Sequence, residues 1–353
     1  MGVMSEDEIG CAETEMVRAD GADYPVQNMV SQTDALGFTR PTSISDSKMI
    51  IPHLPQAMKA IGLDWQIYLG DAGVLIKGVP DSSIDIIVTD PPYFIDGMGD
   101  DWDDMTLQAK AAKAKTIGGL PVGMKFDPRQ GRLFEEFMRK FAIEFYRVLK
   151  PGAFCISFSQ ARLYHRLAVA LEESGFGIRD MMGWVHNGQA KAFSQDHFVR
   201  KMKDLTLEQQ DEIIKRLGGR KTPQLRPCID PMVLAQKPKE GTFVANWLKY
   251  RTGLIDTSVT IDGKFPGNLM EFAKATRVEK GAGNEHLTIK PVMLIEHLLK
   301  IFSTEEQTVL DPFMGSGSHG VAAIKVNRRF IGFEISEKYF ETAQKRLIAR
   351  SER

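Results

Sequence analysis

Thr89-Asp90-Pro91-Pro92-Tyr93 follows an apolar run, Ile84 to Val88, that reads as a buried parallel strand. Ligands of open α/β sheets sit just beyond the carboxyl ends of such strands. Each proline fixes its own φ and disfavours helix for the residue before it, so Asp90 and Pro91 are held extended. Neither proline offers an N–H. The Asp90 side chain and the Pro91 carbonyl therefore make a compact pair of acceptors beside the Tyr93 ring. Two acceptors can each take one hydrogen of an exocyclic amino group on a flat ring, and Tyr93 can stack on that ring. The competing reading is a proline-rich turn with an incidental Asp, so the rest of the chain has to decide.

Working outward, Trp65 to Leu69 reads as a strand that ends at Gly70-Asp71. Asp71 there either accepts from a nucleoside or caps a helix. A helical pattern is expected before it, from Met49 to Gly62. Residues 94–132 resist regular assignment and read as a lid over the reactive turn. Leu133 to Leu149 is an amphipathic helix stopped by Lys150-Pro151-Gly152. Ala153 to Phe158, Leu163 to Ser174 and Phe176 to Val185 follow as strand, helix and strand. The alternation predicts an α/β fold with a doubly wound, mostly parallel sheet.

A second constellation lies near the other end. Thr308-Val309-Leu310 is a short strand, followed by Asp311-Pro312-Phe313-Met314-Gly315-Ser316-Gly317-Ser318-His319-Gly320 and a helix. Gly315-x-Gly317-x-x-Gly320 matches a dinucleotide fingerprint, and Glu334 ends the next strand at the spacing that motif needs for a ribose. The glycines are expected to let the backbone approach a ligand. A nicotinamide dinucleotide would also need a hydride-transfer site, and nothing in the sequence names one. S-adenosyl-L-methionine has the same ribose and carries an electrophilic methyl that an activated amino group would attack. Only that cofactor uses both constellations.

Composition sets the bounds. The 353 residues are 43% hydrophobic and 26% charged, with net charge −1, so nucleic-acid binding needs a local basic patch. Trp184 to Arg251 supplies one, with 13 Lys and Arg against 7 Asp and Glu. Lys191, Arg200, Lys201, Lys203, Arg220 and Lys221 lie there, interleaved with Phe193, His197 and Phe198, as DNA binding requires. A solvated surface is the plainer alternative, and the mixed-charge helix Leu205 to Leu217 suits it. Three scattered cysteines without a CxxC pair predict a reducing, cytoplasmic setting with no metal site. No apolar run reaches membrane-spanning length. The expected organisation is a polar tail over 1–47, a first catalytic part over 48–185, a basic target-recognition insertion over 186–264, and a second catalytic part over 265–353. Within the insertion, Pro231 to Gln236 reads as a strand returning to the sheet.

Together these residues resemble the amino-group DNA methyltransferases. Asp90-Pro91-Pro92-Tyr93 looks like their catalytic motif, and Asp311-Pro312-Phe313-x-Gly315-Ser316-Gly317 like their cofactor loop. Glu334 matches their ribose acid and Asp71 the acid of a neighbouring strand. Thr288 and Lys290-Pro291 resemble the motif beside the cofactor's methionine end. The order of motifs resembles the β group of the family, a permuted chain on the same sheet. The resemblance implies S-adenosyl-L-methionine as cofactor, double-stranded DNA as substrate and a flipped base. Asp at the first motif position implies adenine N6 over cytosine N4. Relatives acting on RNA or protein glutamine more often carry Asn there, and a NAD-dependent oxidoreductase is the distant alternative. Enzymes of this order often pair as homodimers; the sequence itself names no restriction endonuclease partner. Two positions depart from the pattern: His319, where a small polar residue is usual, and Leu287, where proline is usual. His319 is expected to cap or pack rather than act as a base.

Overall fold

The computed structural model describes four short strands within residues 16–40, then residues 59–92, 129–188, 192–223, 225–276 and 289–351. Tyr93, Lys191, Leu287 and Thr288 lie outside them, as does most of the expected lid. Residues 1–50 form a unit of their own. In it β1 (Met16–Ala19) pairs antiparallel with β2 (Ala22–Pro25), and β3 (Gln32–Thr33) with β4 (Thr39–Arg40).

The remainder is organised by a nine-stranded sheet in the order β11-β9-β10-β8-β7-β12-β13-β6-β5. The strands are β5 (Lys59–Ile61), β6 (Trp65–Leu69), β7 (Ile84–Thr89), β8 (Leu149–Phe158), β9 (Gly177–Val185), β10 (Ile229–Gln236), β11 (Leu269–Glu271), β12 (Thr308–Asp311) and β13 (Arg329–Glu334). β10 runs antiparallel to both its neighbours and β5 antiparallel to β6; the other pairs are parallel. Residues 59–61 are thus an edge strand, not the end of the expected helix. Lys59 and Ile61 are exposed around a buried Ala60, an alternation of period two. β10 crosses the sheet inside the span 186–264, so the part between β9 and β10 is 186–228.

Helices α1 (Ala72–Leu75), α2 (Arg129–Val148), α3 (Tyr164–Glu173), α4 (Asp196–Arg200), α5 (Leu207–Leu217), α6 (Phe243–Tyr250), α7 (Val292–Phe302), α8 (Ser318–Lys325) and α9 (Glu337–Ser351) connect the strands. The chain passes from β7 through α2 to β8 in one direction along the sheet. It passes from β12 through α8 to β13 in the other. Crossovers between parallel strands are right-handed, so the two helices fall on opposite faces. The direction of winding therefore reverses between β7 and β12, where a doubly wound sheet opens its ligand crevice.

All six residues of β7 are buried, as a strand covered on both faces requires. Ile86 and Val88 pack into a core with Leu294, Ile295, Leu298 and Ala322 of α7 and α8. The one charge in β7, Asp85, is paired at both oxygens. It accepts from Lys150 Nζ (2.6 Å) and from the Thr308 backbone N–H (2.9 Å), tying the amino ends of β7, β8 and β12 together. Buried charges persist only when paired in this way.

Candidate active site

Asp90, at the carboxyl end of β7, and Asp311, at the end of β12, are 221 positions apart in sequence, yet β7 and β12 are adjacent, with Val309 opposite Ile86 and Leu310 opposite Ile87. Thr89 Oγ donates to Asp311 Oδ1 across the gap (2.7 Å). The reactive turn and the glycine-rich loop thus share the switch point.

Asp311 is 1% exposed. Besides Thr89, the Phe313 N–H donates to Oδ1 (3.1 Å) and His319 Nδ1 to Oδ2 (2.6 Å). Three donors offset the cost of burying this carboxylate. Asp311 is therefore a hub that joins the end of β7 to the loop. Lys290 also has a protein partner: its Nζ ion-pairs with Asp90 Oδ2, both side chains being largely buried. Removing one member of such a pair costs roughly 3–5 kcal/mol, because the other charge is left buried alone. Lys290 also sits over the Phe158 ring, 4.9 Å from its centroid.

The loop departs from the simple reading of its glycines. A Cβ on Gly317 would come 2.9 Å from Ala343 Cβ of α9, and one on Gly320 would meet the Phe330 ring at 2.7 Å. These two glycines admit protein, not ligand. Gly315 and Gly317 also have positive φ (51° and 80°), which glycine adopts without strain. Arg346 of α9 clamps the loop from outside, donating to the Ser316 carbonyl (2.6 Å) and to Ser316 and Ser318 Oγ (3.2 Å each). Pro312 and Ser316 are buried. The partly exposed Phe313 ring is held by Phe141 (4.8 Å, edge on) and Phe137 (6.0 Å) of α2.

Glu334 ends β13 next to this loop. Its Oε1 accepts from the Ser336 N–H (2.8 Å). Burial pushes its carboxyl up to about 7, against the opposing pull of backbone N–H groups. Asp71 adopts the structural role considered for it, accepting from the Val74 N–H (3.0 Å) as the cap of α1. A half-buried carboxylate, an aromatic plate and a preshaped loop at one crevice offer an acceptor and a packing surface that fit a nucleoside-bearing methyl donor.

At the far end of the rim, two clasps close the base of the 186–228 segment. His186 Nε2 meets Asp230 Oδ1 (3.1 Å), and Arg226 donates to Asn187 Oδ1 (2.7 Å). Of the basic residues marked from sequence, Arg200 pairs with Asp211 and Arg220 donates to the Leu217 carbonyl at the end of α5. Lys201, Lys203 and Lys221 are exposed and have no ion pair among the described residues. Local sequence carries no sign of Phe158 or Arg346 at the site; each arrives from a distant element. Thr89 was legible as the residue leading into Asp90.

A mostly parallel sheet that brings Asp90 and the glycine-rich loop to one switch point is the architecture of an S-adenosyl-L-methionine-dependent methyltransferase. Residues 84–345 match the N6_N4_Mtase model, described as a DNA methylase, and the chain belongs to this family. It is similar to the Type II methyltransferase M.HindIII of Haemophilus influenzae, 29% identical over 300 residues, covering 80% of this chain and 94% of that protein. It is 30% identical over 275 residues to the Type II methyltransferase M2.DpnII of Streptococcus pneumoniae, covering 76% and 84%. The solved PvuII cytosine-N4-specific DNA methyltransferase shares the fold, with a TM-score of 0.52 at 14% identity over 80% of this chain and 86% of that one. The chain is a DNA methyltransferase. No helix among the described residues is long and apolar enough to cross a membrane.

Proposed function

We propose that this enzyme methylates the N6 amino group of an adenine flipped out of double-stranded DNA. The observation that carries the reading is the Asp90 carboxylate at the switch point, held by Lys290 and one residue from the Thr89–Asp311 bridge to the cofactor loop. The target amino group is buried by pairing and stacking in a duplex, so the base has to leave the helix. S-adenosyl-L-methionine supplies the electrophilic methyl. Glu334 would accept from its ribose, with Asp71 one strand along the rim, and Phe313 would flank it. Lys290 fixes the plane of the Asp90 carboxylate by holding Oδ2. Asp90 and the Pro91 carbonyl then accept the two amino hydrogens, which localises the nitrogen lone pair toward the methyl. Asp90 would stabilise the positive charge that grows on that nitrogen as it takes the methyl and S-adenosyl-L-homocysteine departs, and the surplus amino proton would pass to solvent. Preorganised groups of this kind are each worth about 10²–10³ in rate.

The span 186–264 is assigned to target recognition, with Lys201, Lys203 and Lys221 on the phosphates. Homodimer formation is a separate expectation, checked by sedimentation with and without DNA.

The experiment is Asp90→Ala. Tritiated methyl transfer to duplex DNA should be abolished while calorimetric titration still shows cofactor binding; turnover near wild type rejects the assignment. Mass analysis of the nucleosides from methylated DNA should show N6-methyladenine. N4-methylcytosine would move the reading to the other amino target.

A further inference from the structure

His319 stands where its family usually has a small polar residue, and the structure uses both its donor and its ring. Its Nδ1 bonds Asp311 Oδ2 at 2.6 Å, with both side chains all but buried. Its ring lies nearly parallel to Phe158, with centroids 6.1 Å apart at 18°, within the range of offset aromatic pairs. Lys290 Nζ is 4.9 Å from the same Phe158 centroid and ion-pairs with Asp90. Asp311 in turn accepts from Thr89, the residue before Asp90. The contacts close a ring: Asp90, Lys290, Phe158, His319, Asp311, Thr89 and back to Asp90.

We propose that His319 is a positioning residue for the catalytic carboxylate, acting through two arms. One arm is the hydrogen bond to Asp311, which orients Thr89 and the end of β7. The other is the stack on Phe158, which sets where Lys290 lies and so how Lys290 holds Asp90. The inference rests on the reading of Asp90 as the acceptor of the amino hydrogens. A small polar residue at 319 could supply the first arm only. Cation–aromatic and aromatic pairs gain strength where water is excluded, and Phe158 and His319 are both buried. His319 touches neither the base nor the methyl in this account, and it is not a base.

The test separates the arms in the full-length protein. His319→Asn keeps a donor toward Asp311 and removes the plate. His319→Phe keeps the plate and removes the donor. Cofactor affinity is measured by calorimetry, duplex affinity by anisotropy, and the methyl-transfer step by single-turnover quench at saturating cofactor and DNA. Each variant should transfer methyl about tenfold or more slowly, as small misplacements of reacting groups do, with both affinities within about twofold of wild type. Lys290→Met combined with His319→Asn should be less than additive, since residues acting as a unit are not additive. A merely structural histidine would lower the melting temperature or weaken cofactor binding and leave the transfer step unchanged. Wild-type transfer rates in either folded variant, or a loss confined to cofactor affinity, overturn the proposal. Should His319→Phe not fold, His319→Asn and the double variant decide. The assay begins with wild type and Asp90→Ala: an inactive wild type or an active Asp90→Ala defeats the functional reading, whereas an active wild type with indifferent His319 variants defeats this inference alone.

Discussion

The rim of the sheet has two ends that are built differently. Between β7 and β12, charged groups are buried and each has a defined partner: Asp90 with Lys290, Asp311 with Thr89 and His319. Between β9 and β10, the charges are exposed, and those that pair do so on the surface, as Arg200 does with Asp211 and Arg216 with Glu212. Exposed pairs contribute about 0–1 kcal/mol and are screened by salt, whereas breaking a buried pair costs several times more. Chemistry that needs a carboxylate fixed to a fraction of an ångström suits the first end. Recognition of a long polyanion suits the second, where side chains can adapt. Perturbing the first should change the reaction; perturbing the second should change how binding responds to salt.

The largest effect outside Asp90 is expected at Glu334. On the proposed reading, Glu334→Gln would remove a charged acceptor for the cofactor's ribose, a hydrogen bond worth roughly 1.5–3 kcal/mol, so affinity should fall by about one to two orders of magnitude. The raised carboxyl adds a pH signature. With its value at about 7, the carboxylate form is lost as pH falls through 7, and cofactor affinity should weaken toward roughly tenfold per unit below that. The variant should lack this slope. Folding responds with the opposite sign: a carboxyl raised in the folded state contributes stability present below its unfolded value near 4.5 and lost as pH rises through about 7. Calorimetric titration at pH 6 and pH 8 checks this; a wild-type affinity independent of pH would remove Glu334 from the site.

A smaller effect is expected at the other end. Changing Lys201, Lys203 and Lys221 together to alanine should reduce the slope of log affinity against log salt by about 0.9 for each phosphate that a lysine no longer neutralises. Arg200→Ala should add little, because its guanidinium already holds Asp211. Anisotropy titrations from low to physiological salt measure the slope, and an unchanged slope would break the comparison by making these lysines plain surface.

The sequence made the first end legible and the second only partly so. Strands β7, β8, β12 and β13 were readable because central parallel strands are short apolar runs bounded by turns, and Asp90 and Glu334 were readable because each ends one. Lys59 to Ile61 read as the end of a helix, since three residues of an edge strand carry too little period to compete with the helical pattern over Met49 to Gly62. Lys290 and Asp311 were legible as motif residues, but their partners were not. An ion pair with Asp90 spans 200 positions, and no local pattern encodes it. The same holds for Arg346, whose place on the loop depends on how α9 packs. At Gly317 and Gly320 the motif was readable and its reason was not, because only the packed structure shows which atoms fill the missing side chains.

The smallest expected effect tests whether the two ends are independent. Thr206 caps α5 with a reciprocal box: its hydroxyl accepts from the Gln209 N–H, and the Gln209 side chain accepts from the Thr206 N–H. Removing such a cap costs about 1 kcal/mol. α5 is exposed along much of its length and lies in the segment between β9 and β10, and none of Asp90, Lys290, Asp311 and Glu334 is on it. The loss from Thr206→Ala should therefore stay local. Amide exchange should quicken across 207–217, DNA affinity should fall by a few-fold at most, and single-turnover methyl transfer at saturating DNA should match wild type. If the transfer rate fell as well, the recognition segment would be coupled to Asp90 through the sheet, most directly through the His186–Asp230 clasp at its base. Repeating the measurement in His186→Gln would then locate the coupling, because the clasp is the described contact that joins the segment's first residue to β10.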